Sequence, residues 1–329
     1  MAIIFIVGCW YHVLLLEFGH IEWLYAAIAI WAFDRFLRIV RLLVLNISWS
    51  MNRNTCTANL RMVGPDAIKA RVSVGYNLDF KPGQYVFVYF LRFNFWESHP
   101  FTVAAYDVDK ETGQPTMTLL FRTHEGVTRK MERYLEAGPQ TIACLVEGPY
   151  GHHLPVEQYD NVLLLAGGVG ITAILPYLRY FATLNSARVR FEWVVRDEDS
   201  INWFKEDIAQ AANAPNVEVQ LHVTKAGTGD VETARTHISI DLGAKREGVG
   251  EISAASEEGG TASLARYVTV GHRPSLTLLV ATQIADSVGS LAVVACGPGT
   301  FVDETRQAVA DNVTKAGGTV DYFEEAFTW

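Results

Sequence analysis

At 329 residues the chain has room for two or three domains, and half of its residues are hydrophobic. A formal net charge of −9 leaves no large basic surface for displacing counterions, which excludes nucleic acid as a partner. The four cysteines, Cys9, Cys56, Cys144 and Cys296, form no C-x-x-C pair; that pattern fits a reducing compartment and argues against structural zinc.

Met1–Leu16 is almost continuously apolar, and Ile21–Phe33 is apolar except for Glu22. Each run falls short of the roughly 20 residues a spanning helix needs, although the second can continue as helix through Leu37. Glu17-Phe18-Gly19-His20 makes a polar turn between them, and Arg35, Arg38 and Arg41 follow along one helical face. Cations after an apolar helix place that end in the cytoplasm and the 17–20 turn outside. Trp10, Tyr11, Trp23, Tyr25 and Trp31 suit interfacial anchors. Residues 1–50 therefore read as a transmembrane helical hairpin in contact with membrane lipid, with two buried helices of a soluble core as the alternative. No basic leader or small-residue cleavage site supports a signal peptide. The abrupt hydrophobic start is what a missing upstream portion would leave.

From Thr55 the pattern changes to short β-like segments: Thr55–Val63, Ile68–Gly75, Tyr85–Leu91, Thr102–Tyr106, Thr116–Arg122 and Thr141–Glu147. Gly64-Pro65-Asp66, Lys81-Pro82-Gly83, Gly113-Gln114-Pro115 and Gly138-Pro139 punctuate them as turns. Six close strands without long helices between them predict a small antiparallel barrel over 51–155. The helical piece Val127–Glu136 follows Gly126-Val127-Thr128, a strand-to-helix turn able to offer N–H groups to a phosphate. In His99-Pro100-Phe101-Thr102-Val103, Phe101 and Thr102 point to opposite faces. That pairing suits a flavin ring, and it equally suits an ordinary barrel strand with a proline at its edge.

Residues 156–329 read as an α/β domain of Rossmann type. Val162–Ala166 has the length and content of a buried parallel strand, and Ile171–Phe181 can be helical. Between them Gly168-Val169-Gly170-Ile171-Thr172-Ala173 fits the G-x-G-x-x-G/A dinucleotide fingerprint. Glycines there let the backbone approach a pyrophosphate at the helix N-terminus. A strand Val189–Val195 follows, then Lys225–Arg266, rich in Gly, Ser, Thr, Ala and Glu, which predicts a mostly disordered insertion over 225–266. The fold resumes at Tyr267–Gly271, with a helix over Pro274–Ser287 and a strand over Leu291–Ala295.

Five segments occur in a fixed order: HPFTV at 99–103, GVT at 126–128, GPYG at 148–151, AGGVGIT at 166–172 and ACGPG at 295–299. Together they resemble the ferric-chelate reductase and NADPH oxidase superfamily, and more closely its fungal metalloreductase branch, over nearly the whole chain. The resemblance implies an FAD-binding barrel of ferredoxin reductase type and an NADP-binding α/β domain. It implies FAD contacts at His99, Pro100, Phe101 and Thr102, with Gly126 and Thr128 at the FAD pyrophosphate. Gly167, Gly168, Gly170 and Thr172 match the NADPH pyrophosphate loop. Arg196, where an acidic residue would favour a free ribose hydroxyl, suits a 2′-phosphate and hence NADPH; a surface cation balanced by Asp197 and Glu198 is the alternative. Arg273, in Gly271-His272-Arg273-Pro274, is a weaker match for the same phosphate.

Cys296, Gly297 and Pro298 match the element beside the nicotinamide, where the cysteine positions and does not attack; a buried small hydrophobe is the plain alternative. Phe327 matches the aromatic that covers the flavin until nicotinamide displaces it. His12 matches one of the family's four haem histidines; its companions are absent from the chain, so haem b is expected in the complete protein only. The reading is a membrane-bound NADPH-dependent ferric/cupric-chelate reductase of the plasma membrane, with its FAD and NADPH domains cytoplasmic. A superoxide-producing oxidase and a non-catalytic membrane scaffold are the alternatives.

Overall fold

The computed structural model describes residues 2–15, 21–46, 56–75, 79–109, 113–225 and 264–325. Two helices come first, α1 (Ala2–Leu15) and α2 (Ile21–Asn46). They touch each other, with Trp10 Nε1 at 3.5 Å from the Tyr25 hydroxyl, and most of their large apolar side chains are exposed. Among the described residues no helix is long and apolar enough to cross a membrane. α1 has 14 residues, about 21 Å of helix against a hydrocarbon core of about 30 Å. α2 has the length, at 26 residues, but Glu22, Asp34, Arg35, Arg38 and Arg41 interrupt its apolar surface.

β1 (Thr57–Met62), β2 (Ala67–Ser73), β3 (Tyr85–Phe90), β4 (His99–Val108), β5 (Pro115–Arg122) and β6 (Gln140–Tyr150) form a closed antiparallel barrel in the order β1-β2-β5-β4-β3-β6. Period-2 alternation fills it: Ala58, Leu60, Ile68, Ala70, Val72, Val86, Val88, Met117, Leu119 and Val146 point inward and are fully buried. Each large aliphatic among them contributes about 1.5–3 kcal/mol of burial. α3 (Val127–Leu135) presents Val127, Met131 and Leu135, four residues apart, and packs that stripe into the same core. β4 begins at His99, earlier than expected, because His99 and Pro100 pair with Val88 and Phe87. Pro100 is tolerated there since its missing N–H faces away from β3, on the side where β5 pairing starts only at Val103.

The second unit is an all-parallel sheet of β7 (Asn161–Gly167), β8 (Arg188–Val195), β9 (Val217–Val223), β10 (Val268–Val270), β11 (Leu291–Cys296) and β12 (Val320–Glu324). Its order is β10-β9-β8-β7-β11-β12. α4 (Ile171–Leu184) and α5 (Lys205–Ala212) cover one face, where Val162, Leu164 and Ala166 point. α6 (Leu276–Asp286) and α7 (Gly299–Asn312) cover the other, packing on Leu163 and Leu165. Burial on both faces explains why β7 is uniformly apolar after Asn161. The strand order reverses between β7 and β11, so the crevice at their carboxyl ends is where such sheets take ligands.

The barrel and the sheet share a packed seam. Ala67, Ala104 and Leu120 of the barrel belong to the same core as Ile171 and Trp193. Trp203 Nε1 donates to Val63 O at 3.0 Å, and Arg179 of α4 pairs with Asp107 of β4. Of the expected disordered insertion 225–266, residues 226–263 lie outside the described residues; Leu264 is fully buried in that core.

Candidate functional site

The glycine turn lies at the end of β7, and its glycines are required by contact. A Cβ on Gly170 would stand 2.4 Å from the carbonyl oxygen of Cys296, and one on Gly167 would stand 2.9 Å from Pro298 Cδ. A Cβ on Gly297 would meet Gly167 Cα at 3.1 Å. Gly168 takes φ 55° in the left-handed region, and its carbonyl accepts a 3.0 Å hydrogen bond from Trp193 Nε1. The turn of β7 and the turn of β11 are thus pressed together at the switch point. α4 starts with no side-chain capping bond, so its first N–H groups point to the mouth unpaired by side chains. Thr172 is 4% exposed and donates to Val169 O at 3.0 Å, which spends its hydroxyl on holding the turn.

Cys296 is fully buried at the end of β11. Burial, and then the carboxylates of Glu325 and Glu324, push its thiol well up, so it stays neutral and cannot serve as a nucleophile. Glu325 is a residue the sequence did not single out. Its N–H donates to Ala295 O at 3.0 Å, and burial pushes its carboxyl up to about 7, with a hydrogen bond from the Tyr177 hydroxyl pulling the other way. Gly83 of the barrel closes over this pair: a Cβ there would lie 2.4 Å from the Tyr177 hydroxyl and 3.0 Å from Glu325 Oε1. Phe327 lies outside the described residues.

Arg196 stands exposed one residue past β8, at the same edge of the sheet as the glycine turn. Asp197, expected as a counter-charge for it, approaches Lys225 at 3.8 Å. Arg273, exposed beyond β10, pairs with Glu304 at 3.2 Å.

On the barrel side, β4 presents Pro100, Thr102 and Ala104 outward, and Ala104 enters the seam with α4. Phe101 faces the other way. It is 9% exposed and packs against Phe121 at 4.6 Å and Phe90 at 5.8 Å, so its ring belongs to the barrel core and is not displayed to a flavin face. His99 Nε2 is buried without a hydrogen-bond partner; the nearest carboxylate, Glu97, is 3.6 Å away. Such an orphaned atom suits a polar ligand edge. Gly126 has φ 90° and nothing within 4 Å of its Cβ position, which leaves open space before α3. Thr128 Oγ1 accepts from His124 N (2.8 Å) and donates to His124 O (3.1 Å), so it locks the turn. Arg122, also missed, ends β5 with a guanidinium 3.7 Å from the Gly168 Cβ position and bonded to Asp66 at 3.0 Å. A lone cation preceding a glycine turn carries no signal of this cross-domain approach.

His12 is exposed on α1 and is the single histidine among the described residues of α1 and α2. Among the described residues no three His, Cys, Asp or Glu gather as a metal site. The described residues do not complete a haem site.

A ferredoxin NADP+ reductase from Neisseria gonorrhoeae, solved with bound FAD and NADP, superposes with a TM-score of 0.52 at 14% identity, over 82% of this chain and 98% of that one. Full-length CYP116B46 from Tepidiphilus thermophilus superposes with a TM-score of 0.51 at 16% identity, over 81% of this chain and 28% of that one. The fold is thus that of the two-domain flavin–nicotinamide reductases. The FAD-binding domain family matches residues 52–154, and the ferric reductase NAD binding domain family matches residues 159–310. Among curated relatives, ferric reductase transmembrane component 3 of Saccharomyces cerevisiae is 34% identical across the whole chain and 45% of its own length. Ferric/cupric reductase transmembrane component 2 of the same yeast is 33% identical with the same coverage. The chain thus carries an FAD-binding domain and a ferric reductase NAD binding domain, and it resembles fungal ferric reductase components. It spans about half the length of the curated relatives it matches.

Proposed function

We propose that this chain is the flavin- and nucleotide-binding part of a membrane-bound, NADPH-dependent ferric/cupric-chelate reductase. The observation that carries the reading is the contact of Gly167 and Gly170 with Cys296, Gly297 and Pro298 at the switch point, across the seam from Arg122 of β5. Gly167, Gly168, Gly170 and the N-terminus of α4 hold the pyrophosphate of NADPH, with Thr172 bracing the turn. Arg196 takes the 2′-phosphate, and Arg273 is a second, weaker contact. The neutral Cys296 thiol, with Gly297 and Pro298, forms a small floor on which the nicotinamide is oriented. Phe327 covers the flavin face until the nicotinamide displaces it.

His99, Pro100, Thr102 and the backbone at Phe101 line the flavin, and Gly126 with the turn held by Thr128 receives its pyrophosphate. When bound, NADPH would supply a hydride, and FAD would take up its electron pair and release it as single electrons. α1 and α2 lie against membrane lipid in the plasma membrane, with Arg35, Arg38 and Arg41 on the cytoplasmic side together with both nucleotide domains. Haem b is expected in the complete protein only.

The test is direct. Protein loaded with FAD should reduce ferric chelates with NADPH and leave superoxide a minor product. Superoxide as the main product would favour the oxidase reading. Protein that binds no flavin, judged by its visible absorbance after adding FAD, would favour the scaffold.

A further inference from the structure

α2 ends against the wall of the barrel in a way that membrane anchorage does not require. β1 starts at Thr57, so its edge of β6 is paired only as far as Cys144, whose N–H donates to Cys56 O at 3.1 Å. The next residue of β6 facing that edge is Val146. Its N–H donates to Asn46 Oδ1 at 2.8 Å, and its carbonyl accepts from Asn46 Nδ2 at 2.8 Å. One side-chain amide thus replaces the missing strand, bonding in both directions as a peptide would.

One residue further, the Glu147 carboxylate is 3% exposed and gathers four donor contacts: Arg38 Nε and Nη2 at 3.2 Å each, Tyr150 at 2.7 Å and Tyr89 at 3.3 Å. A buried carboxylate is tolerable only when so fully paired. Burial, and then Glu147, push the Tyr150 phenol up, keeping it a donor. Arg38 also lies over the Phe87 ring at 5.9 Å and Arg41 over the Tyr150 ring at 4.9 Å. The row then runs straight into the candidate flavin strand: Glu147 is paired with Phe87, and Phe87 with Pro100.

We infer that Asn46, Arg38 and Glu147 form a latch that makes α2 a rigid strut on the barrel wall, fixing the helical hairpin relative to the flavin cleft. They are positioning residues and touch no cofactor. The functional meaning rests on the reading above, of a flavin domain held at a membrane; the strut itself does not.

The experiment measures a distance and an activity in the same chain. Spin labels at Phe33→Cys on α2 and Arg61→Cys on β1, in a Cys9→Ser background, report the α2–barrel separation by pulsed electron resonance. A narrow distribution is expected in the parent. Asn46→Ala and Arg38→Met should each spread it, and Arg38→Lys should largely restore it. NADPH-driven reduction of a soluble one-electron dye should be unchanged in all of them. A broad distribution in the parent, or a narrow one in both Asn46→Ala and Arg38→Met, overturns the latch. Should Asn46→Ala fail to fold, Arg38→Met decides alone. Absence of dye reduction in the parent would count against the proposed function and leave the distance result standing.

Discussion

Two of the glycine turns that join a strand to a helix, at Gly167–Gly170 and at Gly126, are built on different terms. At Gly167–Gly170 glycine is needed because another backbone lies where a side chain would go. At Gly126 nothing lies within reach, and glycine is needed only for its positive φ. One turn is fixed by its neighbour across the sheet; the other faces open space. The same residue type therefore marks close approach in the sheet and conformational freedom in the barrel, and the costs of changing it should separate widely.

The largest effect is expected at Gly170→Ala. Its methyl would sit 2.4 Å from a backbone oxygen that cannot swing aside, so a loss of about 3 kcal/mol or more is expected in chemical denaturation. A soluble, normally stable variant would show that the two turns are not pressed together.

Behind the crowded turn, Glu325 gives a pH signature. Its folded value of about 7 lies above the ordinary 4.5. The stabilisation from its proton is therefore complete below pH 4.5 and is lost as pH rises through 7. Denaturation measured across that window should show about 2 kcal/mol lost by the parent and not by Glu325→Gln. Parallel curves for the two proteins would remove the burial argument.

Arg196→Ala tests the open rim of the sheet. Its kcat/KM should fall about tenfold with NADPH and little with NADH, the worth of one charge-assisted contact. An equal fall with both would make the arginine structural. Gly126→Ala should have the smallest effect, about 1 kcal/mol of backbone strain seen as a modest drop in Tm. A cost matching that of Gly170→Ala would abolish the distinction between the turns.

Much of this architecture was legible from the residues. Val162–Gly170 announced a buried parallel strand and its turn, and six segments punctuated by Gly and Pro announced the barrel. What escaped was contact between distant positions. Neither Gly167 nor Gly297 says that the other is its neighbour, and Arg122 gives no hint of Gly168. Asn46 looks like the end of a helix; that it completes the edge of β6 follows only from where β1 begins. Phe101 shows the limit of reading faces locally: alternation put it opposite Thr102, yet which face was the interior depended on Phe90 and Phe121. β9 was overlooked because Glu218, Gln220 and His222 alternate with its valines and leucine, a half-exposed pattern unlike β7. In α7 the charges of Asp303, Glu304 and Arg306 hid the stripe of Phe301, Val302, Thr305 and Val309.

The bonds between Asn46 and Val146 span 100 positions of chain. During synthesis at roughly 5–20 residues per second, α2 emerges about 5–20 s before its partner strand exists. For that interval its arginines and asparagine have nothing of the barrel to hold. The helix is therefore made first and fastened last, and the closing of β6 is the moment at which its orientation is set.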